Sequence, residues 1–203
     1  LYDADCPVQA ESSFFEPDHW RARNALTGVA TGRGTTFFVR DCANEWVVRK
    51  YRRGGLIAKL VADRYLWSGI EATRAWREWR LLAELYSEGL PVPQPIAARV
   101  IRDGRFYRAD IVTRRIEALP LSEQLQHGRL SSDGWRRIGA TLRRFHDAGV
   151  WHADLNAHNI LLANDQVFLI DFDRGYRSKL SLRQARNNLV RLRRSLDKLN
   201  RLH

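Results

Sequence analysis

The segment His152-Ala153-Asp154-Leu155-Asn156-Ala157-His158-Asn159, followed by Ile170-Asp171-Phe172-Asp173, constrains this chain more than any other stretch. Asp154 and Asn159 lie five residues apart, within the span of one loop. Asp171 follows a short hairpin, with strands expected over 160–163 and 167–170 and Asn164-Asp165 supplying the turn. A fold that uses all three side chains must bring two loops together. Transfer of a γ-phosphoryl group needs a carboxylate to orient the attacking hydroxyl and accept its proton. It also needs hard oxygen ligands for the Mg²⁺ that bridges the phosphates. Asp154 suits the first role, Asn159 and Asp171 the second. A polar turn beside a capped strand is the bland alternative, and it leaves the joint match to H-x-D-L-x-x-x-N and D-F without a reason.

Composition sets outer limits. With 203 residues, 44% of them apolar, the chain can build one large or two-lobed domain with a sizeable core. Cys6 and Cys42 do not make a disulfide framework, so a reducing compartment is the default. No apolar run approaches the ~18 residues of a membrane span, and residues 1–18 lack the order of a signal peptide. A cytosolic or peripheral protein is expected. The sequence starts at Leu1 and contains no Met, so the true start is expected upstream.

Charge is uneven. Residues 174–203 hold ten Lys or Arg and one acid, Asp197, which is +9 of the total +11. Leu189, Leu192, Leu196 and Leu199 recur there at helical spacing, with Arg191, Arg193, Arg194, Lys198 and Arg201 on other faces. This predicts a basic amphipathic helix. It docks on its own domain with a solvated cationic face, or lies beside anionic lipid or an anionic glycolipid substrate, or meets nucleic acid. The rest of the chain carries no familiar nucleic-acid motif, and no nucleic acid is expected as partner.

Earlier in the chain, residues 14–23 read as irregular. Gly32-Arg33-Gly34-Thr35-Thr36-Phe37 precedes an apolar strand, and Gly32 and Gly34 would let backbone N–H groups approach phosphate oxygens. Alone it reads as a plain turn; the downstream motif turns it into a phosphate-covering hairpin. Residues 45–51 form a strand ending in Arg49 and Lys50, one of which must grip the α and β phosphates. Alternation puts Val47 with Arg49 on one face and Val48 with Lys50 on the other. A helix over 71–88 supplies Glu78, whose neighbours Ala75, Leu81, Leu82 and Leu85 place it on an apolar stripe. Left unpaired there it would cost about 3 to 5 kcal/mol, so it should brace that cation; the alternative is a surface pair with Arg74. Trp76, Trp79 and Tyr86 read as packing.

Strands over 96–102 and 106–114 follow, joined at Asp103-Gly104, and the chain then becomes helical. A hinge is expected at about 113–119. Ser131-Ser132-Asp133 can cap a helix over 134–148 with Trp135, Ile138, Leu142 and Phe145 at core spacing, and His146 reads as scaffold.

The order of glycine hairpin, basic strand, glutamate helix, hinge, helix, catalytic loop and metal loop resembles the protein-kinase-like fold over nearly the whole chain. That predicts one α+β domain over 1–203. A mainly antiparallel β N-lobe (about 1–113) and a small helical C-lobe (about 120–203) flank the hinge. Tyr51-Arg52-Arg53-Gly54-Gly55-Leu56, Asp63-Arg64-Tyr65-Leu66-Trp67, Leu90-Pro91-Val92-Pro93, the catalytic loop and Ile170-Asp171-Phe172-Asp173-Arg174-Gly175 are together similar to the 3-deoxy-D-manno-octulosonic acid (Kdo) kinases of Gram-negative bacteria. The resemblance implies an ATP- and Mg²⁺-dependent transferase acting on the 4-hydroxyl of Kdo in Kdo-lipid A during lipopolysaccharide core assembly. It implies a peripheral protein at the cytoplasmic face of the inner membrane, against an anionic surface, with no protein partner. Asp154 then matches the proton acceptor, Asn159 and Asp171 the metal ligands and Glu78 the helix carboxylate. The family usually has arginine at Arg49, which makes Arg49 the preferred phosphate grip and Lys50 the alternative.

Departures from the protein-kinase pattern speak to the acceptor. Ala153 stands where an arginine would read a phosphorylated loop, Asp173 replaces the glycine of D-F-G, and no A-P-E segment follows. A peptide platform is missing. Asp173 either joins Asp171 at the metal or holds its water shell. An acidic sugar on a phosphorylated lipid calls for cations, with Arg52, Arg53, Arg174, Arg177 and Lys179 as suppliers. The competing functions are a kinase for heptose or another small hydroxylated molecule, and a non-catalytic nucleotide-binding scaffold at the membrane.

Overall fold

Alternating large apolar side chains in the first half of the chain build an antiparallel sheet. In the computed structural model, residues 1–2, 11–31, 35–41, 44–51, 64–128 and 130–200 are described. The strands are β1 (Leu26–Thr31), β2 (Thr35–Asp41), β3 (Asn44–Lys50), β4 (Tyr65–Leu66), β5 (Pro95–Asp103) and β6 (Phe106–Arg114). Their order is β1-β2-β3-β6-β4, with β5 also paired to β6. Every pairing in this sheet is antiparallel. Phe37 and Val39 of β2, Trp46 and Val48 of β3 and Val112 of β6 share a core with Phe14, Phe15 and Trp20. The last three belong to a 3-10 turn (Ser12–Phe15) and to helix α1 (Pro17–Ala22). Residues 14–23 are thus ordered where the sequence reads as irregular. The cause is aromatic burial: Trp20 is sealed in the core, and its Nε1 donates to the Phe14 carbonyl at 2.7 Å. The β5–β6 turn falls at Gly104-Arg105, one residue later than expected, because Gly104 takes the left-handed conformation at φ 58°.

Helix α2 (Arg74–Ser87) buries Ala75, Glu78, Leu82 and Leu85 along one stripe. Its end is closed by Gly89 at φ 74°, followed by Pro91 and Pro93.

The chain divides into two compact units, Leu1–Arg80 with Gln94–Arg115, and Leu81–Pro93 with Ile116–His203. It passes from the sheet unit to the helical one between Arg115 and Ile116, and also within α2. The end of α2 and the loop after it group with the helical unit for local reasons. Leu169 N–H donates to the Pro91 carbonyl at 3.0 Å, and Arg144 donates to the Gly89 carbonyl at 3.2 Å.

The helical unit contains β7 (Leu119–Pro120), α3 (Leu121–His127), α4 (Ser132–Asp147), β8 (Val150–Trp151), β9 (Ile160–Ala163), β10 (Gln166–Leu169), β11 (Tyr176–Arg177) and α5 (Leu182–Asn200). Strands β10-β9-β7 form one small sheet, β11-β8 another. Ser131 Oγ caps α4 by accepting from Gly134 N–H at 3.1 Å. Ile138, Leu142 and Phe145 are core, whereas Trp135, in the first turn of α4, is 38% exposed. Helix α5 turns most of its leucine face inward, with Leu192 and Leu199 buried, but Asn188 is buried where Leu189 is 45% exposed.

Candidate active site

In the sheet unit, β3 alternation separates Arg49 from Lys50. Lys50 lies on the side of Trp46 and Val48, where the segment before β1 covers the sheet, and its Nζ donates to Glu16 Oε2 at 2.7 Å. Arg99 joins the same group, donating to Glu16 at 2.6 Å and to Asp110 at 2.8 Å. Burial works against the Glu16 charge, but the hydrogen bonds from Lys50 and Arg99 outweigh it and hold this carboxyl below its usual range. Burial pushes Asp110 up, with Arg99 opposing.

Arg49 points the other way and meets α2. Its Nη2 donates to both Glu78 oxygens at 2.5 Å, and Tyr51 Oη donates to Glu78 Oε2 at 2.5 Å. The Arg49 guanidinium also lies 4.9 Å from the Tyr51 ring centroid. Glu78 is 3% exposed, so its charge is balanced inside the protein. Tyr51 is the member that sequence reasoning missed. Its position two residues after Arg49, on the same face of an extended strand, was the available signal. Gly32, Gly34, Arg52 and Arg53 lie outside the described residues.

In the helical unit, the catalytic loop is built on His152. This imidazole is buried against the Phe172 ring, 4.8 Å between centroids. Its Nε2 faces the Ile170 carbonyl at 2.9 Å, and its Nδ1 accepts from Asp154 N–H at 3.1 Å. A donor at Nε2 and an acceptor at Nδ1 define one neutral tautomer. Burial, the largest influence, pushes the His152 pKa down. One side chain thus ties the loop carrying Asp154 to the strand leading into Asp171.

Asn156 locks the loop internally: Nδ2 donates to the Asp154 carbonyl at 3.1 Å, and Oδ1 accepts from His158 N–H at 2.8 Å and Asn159 N–H at 3.2 Å. Asn159 Nδ2 donates to the same Asp154 carbonyl at 2.9 Å, which sets Oδ1 on the opposite branch of its amide. Ile170 N–H donates to the Asn159 carbonyl at 3.1 Å. The structure therefore links Asp154, Asn159 and the approach to Asp171 by hydrogen bonds. Asp171 adopts φ 62° and Arg174 φ 60°, left-handed conformations uncommon outside glycine.

Among the described residues, no three His, Cys, Asp or Glu side chains form a metal cage. The oxygens of Asn159 and Asp171 nevertheless fit Mg²⁺, which takes one or two protein oxygens and completes its octahedron with phosphates and water. Arg177, read from sequence as an acceptor contact, is engaged within the helical unit. It donates to Glu84 at 2.6 Å, to Glu88, and to the Ala148 carbonyl at 2.9 Å. Arg174 and Lys179 are exposed.

Helix α5 holds the catalytic loop along one face, which sequence reasoning missed. Asn188 Oδ1 accepts from His152 N–H at 3.2 Å, and Asn188 Nδ2 donates to the His152 carbonyl at 2.8 Å. Two turns on, Ser195 Oγ accepts from Ala157 N–H at 3.2 Å. Between them Arg191 Nη1 reaches Asp154 Oδ1 at 3.4 Å. Polar residues that clasp backbone carry no hydrophobic period, so nothing in the pattern points to them.

Comparison with known proteins places these features in one group. The description of the lipopolysaccharide kinase (Kdo/WaaP) family matches residues 17–201. The chain belongs to this lipopolysaccharide kinase family. It is 42% identical over 199 residues to a 3-deoxy-D-manno-octulosonic acid kinase of Vibrio vulnificus (strain CMCP6), covering 97% of this chain and 84% of that protein. Enzymes of the same name from Vibrio cholerae serotype O1 (strain ATCC 39315 / El Tor Inaba N16961) and Xylella fastidiosa (strain 9a5c) are each 44% identical. The first match covers 90% of this chain and 78% of the relative, the second 98% and 80%. A solved WaaP superposes with TM-score 0.57 at 18% identity, over 87% of this chain and 73% of that one. This confirms the α+β kinase-like fold of the family member. That WaaP was captured in complex with acyl carrier protein; the expectation that this lipopolysaccharide kinase has no protein partner finds no support there.

Proposed function

We propose that this lipopolysaccharide kinase transfers the γ-phosphoryl group of ATP to the 4-hydroxyl of the Kdo residue of Kdo-lipid A. The observation that carries the reading is the loop presenting Asp154 and Asn159 on the His152 anchor, in a chain 42% identical to a named Kdo kinase. In this reading Asp154, whose side chain is half exposed, orients the sugar hydroxyl and accepts its proton as the new ester bond forms. Arg49, braced by Glu78 and Tyr51, binds the α and β phosphates through its planar fork. When bound, Mg²⁺ supplies charge neutralisation on the phosphates, and Asn159 and Asp171 would hold it, with Asp173 beside them. Asn156 and His152 act only by holding the loop in shape.

The proposed site of action is the cytoplasmic face of the inner membrane. What supports it is a lipid-borne acceptor and the outer face of α5, where Leu182 is 92% exposed and Leu189 and Val190 stand among exposed Arg183, Arg186, Arg193 and Arg194. No helix among the described residues is long and apolar enough to cross a membrane.

The test is transfer from labelled ATP with Mg²⁺ to Kdo-lipid A, beside Kdo-free lipid A and a heptose-bearing core acceptor. Transfer to the Kdo acceptor alone, abolished in Asp154→Asn with ATP binding kept, is the expected result. Label on the heptose acceptor alone would replace the substrate. A variant that loses ATP affinity equally would remove Asp154 from the role of proton acceptor.

A further inference from the structure

Arg191 sets a cation beside the catalytic carboxylate, and the chemistry of phosphoryl transfer gives no reason for it. A catalytic carboxylate in a phosphotransferase has to hold the acceptor hydroxyl, a task that calls for no protein cation beside it. The contact is also slack. Arg191 Nη1 stands 3.4 Å from Asp154 Oδ1, against about 2.8 Å for a strong charge-assisted bond, and both side chains are half exposed at 52% and 48%. It engages one of the five donors of the guanidinium.

The backbone beneath Arg191 is nevertheless held firmly. Asn188, about one turn before, clasps both backbone groups of His152, and Ser195, about one turn after, accepts from Ala157 N–H. Helix α5 is therefore keyed to the catalytic loop on both sides of Arg191. A side chain with a fixed root and a loosely engaged head is suited to a ligand that arrives next to Asp154.

We propose that Arg191 binds the carboxylate of the acceptor sugar and so selects a sugar acid over a neutral sugar. The inference rests on the Kdo reading above. In the pyranose form of Kdo the carboxyl group is attached at C2 and the target hydroxyl at C4, two ring carbons apart. With that hydroxyl on Asp154, the carboxylate comes within reach of a guanidinium already one contact away from the same aspartate. The planar fork matches two carboxylate oxygens, a better partner than the single long contact to Asp154. Arg177 cannot serve in its place while Glu84 and Glu88 occupy it.

The experiment measures initial rates with a Kdo glycolipid and with the same acceptor reduced at the carboxyl to a hydroxymethyl group, using wild type, Arg191→Gln and Arg191→Lys. Wild type should prefer the carboxylate acceptor by about tenfold or more in kcat/KM, the scale of one hydrogen bond to a charged group. Arg191→Gln should erase that preference through acceptor KM, with Arg191→Lys between the two and ATP binding retained in both. Wild type using both acceptors equally would overturn the inference and leave the Kdo kinase standing. An equal fall in kcat on both acceptors, with KM fixed, would also overturn it, by making Arg191 a positioning residue for Asp154. If the wild type phosphorylates heptose and no Kdo acceptor, inference and functional reading fall together.

Discussion

Glu78 shows how one buried charge can organise a site. A carboxylate that is 3% exposed is satisfied inside the protein because Arg49 and Tyr51 donate to it. Arg49→Met should therefore cost about 3 to 5 kcal/mol, the penalty of stranding a buried partner, and should raise the KM for ATP. Lys50→Met breaks a pair whose members are 28% and 46% exposed, and should cost about 1 kcal/mol or less, with a smaller effect on ATP. Urea midpoints and ATP titrations of the two variants check the order; the reverse ranking would move the phosphate grip to Lys50. Strand alternation reveals from sequence that the two cations face opposite ways. It does not reveal which way is which, because the decision is made by Phe14, Phe15 and Trp20, some 30 residues upstream, covering the Lys50 face.

Helix α5 shows the same limit at the scale of an element. Its existence and basic outer face follow from periodicity and composition, and Leu192 and Leu199 are buried as the spacing predicts. The phase is wrong by the width of Leu189, because Asn188 takes the inward position. A buried amide that satisfies backbone groups is invisible to a pattern that counts apolar residues. The loop that carries Asp154, by contrast, can be located from sequence because its contacts are local: Asp154, Asn156 and Asn159 bond to one another within five residues. Asn188→Ala would leave the His152 N–H and carbonyl without partners, at about 2 to 4 kcal/mol, and should lower kcat more than it raises either KM; thermal unfolding and steady-state kinetics measure both. For the outer face, the double variant Arg186→Glu, Arg193→Glu should weaken sedimentation with anionic vesicles and leave the weak binding to zwitterionic ones unchanged. The wild-type interaction should fall as salt rises. Salt-independent binding would place the apolar Leu182, Leu189 and Val190 ahead of the charges.

At the scale of the whole molecule, a buried and a half-buried histidine couple folding to pH. Burial pushes His152 down, and it pushes His146 down as well, against a hydrogen bond to Asn188. A depressed imidazole pKa means that the unfolded chain binds protons below about pH 6.5 that the folded chain does not take up. Stability should therefore hold above that pH and decline as pH falls through it, until the folded histidines themselves protonate. The Glu16 and Asp110 carboxyls shift in opposite directions, so their contributions oppose each other. Protonation of folded His152 would destroy its Nδ1 acceptor and release Asp154 N–H, so the loop should loosen only at the acidic end of that decline, where the folded imidazole itself takes up a proton. Unfolding midpoints of the wild type should drop between pH 7.5 and pH 5.5, and His152→Asn should show a shallower drop from its lower starting value. An equally steep decline in that variant would assign the proton uptake to His146 and detach the catalytic loop from the pH response.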